Sequence, residues 1–195
     1  MVTKSYQFSN AGVYAVTLTL NDNLGGITIT NTVVPDNLPA MIVAYDPNGG
    51  FVTGGGWIMS PPGAYVPNLS LTGKANFGFV SKYQKGATLP TGNTEFQFHA
   101  TNFNFKSAAY DWLVIGGARA QYKGLGTING TGNYGFILTA IDGQINGGGG
   151  TDKFRIKIWD KNNGDTIIYD NMLGALDGDN PTTVLGGGSI VIHSK

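Results

Sequence analysis

The chain of 195 residues has no cysteine, a single glutamate, two histidines and two arginines, and only 12% of its residues are charged. Each shortage removes a kind of chemistry. Without cysteine there are no disulfides, thiol nucleophiles or thiolate metal ligands. With Glu95 as the one glutamate, a glycosidase acid and nucleophile would have to draw on aspartate, and no aspartate pair is marked out by spacing. His99 and His193 stand outside any His-Glu-x-x-His pattern, and two histidines would still need a third ligand to hold zinc. Twelve basic and twelve acidic residues cancel, so no chain-wide field draws in nucleic acid or an anionic membrane. No apolar run approaches the ~18 residues of a membrane span, which argues against membrane insertion. The opening MVTKSYQFSN lacks the apolar core of a signal peptide, so any export signal is expected upstream of Met1.

What is abundant points one way. Thirty-one glycines with frequent Thr and Asn suit many short strands joined by tight turns, because Gly and Asn tolerate positive φ and Thr fits a pleated surface. The expected fold class is all-β: an antiparallel β-sandwich or jelly roll with an N-terminal β-hairpin. In VYAVTLTL the residues Tyr14, Val16, Leu18 and Leu20 share one face. In ITITNTVV the residues Ile27, Ile29 and Val33 repeat the alternation, and NDNLGG between the two runs completes a hairpin. Pro35 and Pro39 then bracket a polar stretch that neither continues a ladder nor starts a helix. The organisation expected is residues 1–37 as hairpin and linker and residues 38–195 as a glycine-rich β domain. That domain holds strands such as MIVAYD, FNFK, YDWLVIG, ARAQYKGLG and KFRIKIWD. DGQINGGGGTD reads as a mobile loop, and DNMLGALDGDNP allows at most one helical turn.

The stretch YQFSNAGVYAVTLTLNDNLGG resembles the closing strands of a polycystic-kidney-disease (PKD) domain, an immunoglobulin-like sandwich. Those strands run aromatic, Pro-or-Ala-Gly, Tyr, alternating Val, Thr and Leu, then Asp and a glycine-rich turn. The match covers residues 5 to about 34, with Ala11 where proline is common and without the earlier strands. The remainder, through FRIKIWDKNNGD to GGGSIVIH, resembles a glycine-rich β domain that follows PKD modules in secreted bacterial proteins. The resemblance implies an extracellular or cell-surface setting and transfers no catalytic residues.

Strand parity offers one candidate binding face. Arg155, Lys157 and Trp159 alternate against Phe154, Ile156 and Ile158; Arg119, Gln121 and Lys123 likewise oppose Ala118, Ala120 and Tyr122; Glu95, Gln97 and His99 oppose Phe96 and Phe98. If these strands share a sheet, Trp159, Arg155, Arg119, Gln121 and Gln97 form an aromatic and hydrogen-bonding surface suited to a polysaccharide. Trp112, in a run apolar on both parities, belongs to the core. No cofactor is required. Calcium is the ion the sequence suggests, with Asp177, Asp179 and Asn180 of DGDN as oxygen donors. DKNNGD reads as a hairpin turn, because its Gly164 falls one place early for an EF-hand loop. Ser189 and His193 lie on one face of a strand about 13 Å apart, too far for a dyad.

The function expected is a non-catalytic extracellular structural, adhesion or assembly module of a larger secreted protein. The alternatives are a polysaccharide-binding module and, from another class, a hydrolase using loop aspartates. The uncovered apolar face of the hairpin points to homo-oligomers or to docking on the main domain.

Overall fold

The computed structural model describes residues 5–30, 32, 33, 38–44, 46, 48 and 50–193, with Thr32, Val33, Leu38 and Pro39 described by their backbone alone. The protein is all-β. Its N-terminal part contains β1 (Gly12–Ala15), β2 (Leu18–Asn21), β3 (Ile27–Thr30), β4 (Thr32–Val33), β5 (Leu38–Pro39) and β6 (Met41–Ala44). The rest is one nine-stranded antiparallel sheet made of β7 (Phe51–Ser60), β8 (Gly73–Tyr83), β9 (Pro90–Phe98), β10 (Phe103–Gly116), β11 (Arg119–Ile128), β12 (Thr131–Ile141), β13 (Lys153–Asp160), β14 (Thr166–Asp170) and β15 (Gly187–His193). A 3-10 turn at Val66–Asn68 is the one helical element among the described residues. Around DNMLGALDGDNP the chain instead makes successive turns, closed by Ala175 N–H to Met172 O and Asp179 N–H to Leu176 O.

The sheet order is β14-β13-β12-β11-β10-β9-β8-β7-β15. Eight consecutive strands form a meander, and the last strand returns to pair with the first. Turn chemistry drives the meander. Between β11 and β12, Asn129 and Gly130 have φ of 52° and 77°, the left-handed pair that a two-residue hairpin needs. DKNNGD joins β13 to β14 as expected, with Asp160 Oδ1 accepting from Asn162 N–H and Gly164 and Asp165 both at positive φ. FNFK and YDWLVIG, expected as separate strands, are one strand, β10. Register shifts at Ser107/Ala109 and Tyr110/Trp112 absorb the break in alternation, which is how a bulge re-aims side chains without ending a ladder.

The sheet curls until its two halves face each other. Phe77 of β8 and Phe154 of β13 have four strands between them in the sheet, yet their rings stack at 4.2 Å. Phe96 of β9 meets Tyr169 of β14 at 4.7 Å. The core between the halves is largely aromatic, which supplies much of the apolar area available for burial. Both outer edges are covered. Along β14, Tyr65 bridges Tyr169 and Asp170 N–H donates to Ala64 O. Along β15, the Ile190 and Ile192 N–H groups donate to Asp152 Oδ2 at 2.6 Å and Asp142 Oδ2 at 2.9 Å. Two carboxylates thus stand where a further strand would otherwise pair.

The N-terminal part departs from the simple hairpin. VYAVTLTL is not one strand: it breaks at Val16, whose N–H donates to Ala40 O. β1 then pairs with β6, Tyr14 opposite Ile42, so MIVA joins β1 and not the large sheet. Only β2 and β3 form the expected hairpin. Its register places Leu18 opposite Thr30 and Thr19 opposite Ile29. Cross-strand partners share a face, so Leu18 and Leu20 lie on one side and Ile27 and Ile29 on the other, where parity within each strand had suggested a single apolar face. Pro39, expected to end any ladder, is paired with Thr32; a short edge strand can accommodate a residue with no N–H to donate. The linker reading at Pro35 lies outside the described residues. Ala11 approaches β10, its carbonyl oxygen 3.7 Å from where a Cβ on Gly116 would stand.

Candidate functional site

β11, β12 and β13 are neighbours, and their register sets Gln121 opposite Thr139 and Thr139 opposite Arg155, with Lys123, Ile137 and Lys157 in the next row. Arg119, Gln121, Arg155, Lys157 and Trp159 therefore share one face of the sheet, as strand alternation predicts. That face is covered by the chain after β14. The Arg155 guanidinium makes a two-pronged ion pair with Asp170, Nε to Oδ1 at 3.0 Å and Nη2 to Oδ2 at 2.9 Å. It also donates to the carbonyls of Leu176 at 2.6 Å and Ala175 at 3.1 Å. Gln121 Nε2 donates to Thr139 Oγ1 and to Asp177 O, and Arg119 Nη2 to Gly178 O. The planar groups that could have met sugar hydroxyls instead hold the chain's own segment 175–178. Burial, assisted by the Arg155 charge, lowers the Arg119 guanidinium below its ordinary value.

Trp159 is 4% exposed. Its ring lies directly over Gly135, where any Cβ would collide, and the ammonium groups of Lys123 and Lys157 stand 5.7 and 5.8 Å from the ring. It presents no open ring for stacking, because the lysine stems and the glycine occupy both approaches. Gln97 is exposed on β9, opposite Asn104 of β10, and is not brought to this group.

The three residues read as calcium donors serve separate neighbours. Both Asp177 oxygens face Lys157 Nζ, at 2.9 and 3.2 Å, and Arg155 lies 3.9 Å from Oδ1. Asp179 Oδ2 accepts from Leu176 N–H, and Asn180 is exposed. Among the described residues no group of three or more His, Asp or Glu side chains converges. Asp111 is exposed at the β10 irregularity, and the His193 ring stacks on Phe51 at 4.1 Å.

Sequence reasoning missed a second buried polar group. Asp142 and Asp152 flank DGQINGGGGTD, and both are buried. Besides the β15 amides, Asp152 Oδ1 accepts from Gly143 N–H and Asp142 Oδ1 from Gln144 N–H. The loop itself is closed by Gly150 N–H to Gly143 O and Gly148 N–H to Ile145 O. The only sequence signal was the pair of aspartates at the two ends of a glycine run.

Inside the curl, Thr94 Oγ1 lies 2.9 Å from the hydroxyls of both Tyr110 and Tyr122, and Tyr169 donates to Ser60 Oγ. Burial raises all three phenols, Tyr122 well above its ordinary value, and outweighs the hydrogen bonds that pull the other way. A phenol whose folded pKa is raised favours the folded state fully while the unfolded chain also keeps its proton. That contribution is lost as pH rises past the unfolded tyrosine value of ~10 and through the folded one. Melting temperature should therefore hold level from neutral pH to about 9 and fall above about 10. Tyr122→Phe should make the alkaline decline shallower; an identical decline in the variant would contradict this.

No protein-family model, no curated protein and no solved structure matches this chain.

Proposed function

We propose that the chain is a non-catalytic extracellular module for adhesion, recognition or structural assembly within a larger secreted bacterial protein, with the PKD-like hairpin as its assembly element. The observation that carries this reading is the state of the hairpin. Leu18, Leu20, Ile27 and Ile29 are 51, 58, 61 and 66% exposed, on both faces of a sheet of only two strands. A two-stranded sheet is marginal in water, and apolar side chains uncovered on both faces of one favour association with another surface. A second copy of the chain supplies such a surface, because its own hairpin carries the same uncovered leucines and isoleucines.

The buried charges support the non-catalytic half of the reading. Arg155, Asp170, Lys157 and Asp177 pair with one another, and Asp142 and Asp152 accept backbone N–H groups. Each has a structural partner at hydrogen-bond distance. No cofactor enters this reading, and Lys157 stands against the Asp177 carboxylate where a calcium ion would need to approach.

Light scattering across a range of protein concentrations tests the assembly element. We expect dimers or larger species that become monomers in a Leu20→Lys/Ile29→Lys variant, with the melting temperature of the large sheet unchanged. A wild-type protein that stays monomeric at all concentrations would reject assembly through the hairpin.

A further inference from the structure

The outer face of β7–β10, remote from the covered Arg155 surface, carries a trough that runs across the strands. Its floor is glycine on β7 and β8, and on β9 and β10 the same row is filled by the Glu95–Lys106 pair. Gly55 of β7 pairs with Gly78 of β8, and Gly78 pairs with Glu95 of β9. A Cβ added at Gly78 would meet nothing within 4 Å, and one at Gly55 only the Phe77 carbonyl oxygen at 4.0 Å. Register builds a wall on each side. On one side Trp57, Asn76, Gln97 and Asn104 stand in line across four strands, a row of roughly 14 Å at the usual strand spacing. On the other stand Thr53, Val80 and Asn93. The trough deepens into two adjoining depressions of 250 and 310 Å³ that share Glu95 and Gln97.

The chemistry of the trough is that of neutral hydrogen bonding. Lys106 Nζ lies 3.2 Å from Glu95 Oε1, and the Lys106 and Asn93 hydrogen bonds hold the Glu95 carboxyl below its ordinary value. The only carboxylate in the trough is thus matched by a cation beside it. Beyond that pair only the Lys74 ammonium stands at the trough's end, held over the Trp57 ring, so a phosphate-bearing polymer finds one cation and no basic cluster, and an apolar helix finds no continuous apolar stripe. The amides of Asn76 and Gln97 sit opposite each other, and each offers two donors and an acceptor toward the trough. Neighbouring hydroxyls on a sugar ring present the same alternation of donors and acceptors. A bare glycine floor lets the ring lie against the backbone, where any side chain would lift it away. At one end Trp57 is seated on Gly186 and Gly187, with the Lys74 ammonium 4.8 Å from its ring.

We infer that this trough binds a neutral polysaccharide chain laid across strands β7 to β10, with Asn76 and Gln97 reading its hydroxyls and Gly55 and Gly78 admitting its rings. The inference rests on the non-catalytic adhesion reading and supplies the ligand class and its place. The test is titration of the full chain with cellohexaose, xylohexaose and mannohexaose, followed by calorimetry and by chemical-shift changes, with the sugar recovered and sized afterwards. At least one hexaose should bind. Asn76→Ala/Gln97→Ala should weaken it on the order of tenfold, the loss of about two neutral hydrogen bonds. Gly78→Val should abolish it, since valine fills the floor while suiting a strand. Trp159→Phe, under the covered face, should leave it unchanged. The two trough variants should melt with the wild type, whereas Trp159→Phe, which removes ring area from a buried site, should melt lower and still bind the sugar. The trough assignment is overturned if no hexaose binds at millimolar concentration, or if binding survives Gly78→Val. Cleavage of the recovered sugar would instead overturn the non-catalytic reading, whichever residues bind.

Discussion

Asp170→Ala should destabilise the protein by about 3–5 kcal/mol, because it leaves the buried Arg155 guanidinium with only the Asp177 carboxylate, 3.9 Å away and already paired with Lys157, to answer its charge. Arg155 is 1% exposed and cannot turn out to water without lifting segment 175–178, which its other donors hold. The same substitution orphans Met172 N–H, which donates to Asp170 Oδ1. Asp170→Asn keeps an oxygen for one of these donors and removes the charge, so its cost should fall between wild type and alanine. Beyond the drop in stability by denaturant melting, the alanine variant should become sensitive to protease between residues 172 and 182, where the covering chain loses its anchor. A variant that melts within about 1 kcal/mol of wild type would mean that Arg155 finds other partners at little cost.

Asp152→Ala should cost roughly 2–5 kcal/mol, through two buried amides left without acceptors. Ile190 N–H and Gly143 N–H both bond this one carboxylate, from opposite sides of the gap between β15 and the β12–β13 loop. Hydrogen exchange separates this from a general loss of stability. Protection should fall most at Ile190 and Gly143, and less at Ile192, which still donates to Asp142. Asp142→Ala should show the reverse order. Uniform loss at all three amides would show that the carboxylate supports the whole sheet and not this seam.

Much of the fold was legible because it is written in local chemistry. Asn129-Gly130 and the DKNNGD turn each specify a hairpin from a few residues, and alternation in KFRIKIWD and ARAQYKGLG assigns faces correctly. The parts that were not legible depend on partners distant in sequence. Nothing near Trp159 announces that Leu176, Asp177 and Gly178 cover the sheet face beside it, since that contact rests on carbonyls whose positions follow from the path after β14. The separation of FNFK from YDWLVIG failed because a bulge breaks alternation without breaking pairing. The hairpin's single apolar face failed for a related reason: parity is exact within a strand, but the relation between two strands is set by register, and the turn from Asp22 to Gly26 sets it so that the leucines and isoleucines part company. The trough was hidden in the same way, because Trp57, Asn76 and Gln97 meet only through the pairing of three strands.

The return of β15 to β7, which joins His193 to Phe51, has a consequence for how the fold is reached in time. The eight meander strands close short loops, and such contacts form early at little entropic cost. The last pairing closes nearly the whole length of the large sheet and must wait until residues 187–193 have been made. Until then β7 carries an unsatisfied ladder along Phe51–Ser60, and a nascent or truncated chain offers that ladder to whatever strand arrives first. Refolding should therefore show a late phase in which Asp142 and Asp152 acquire their amides, after the aromatic interior has largely formed. Removing β15 should turn a cooperative domain into one that joins its neighbours edge to edge.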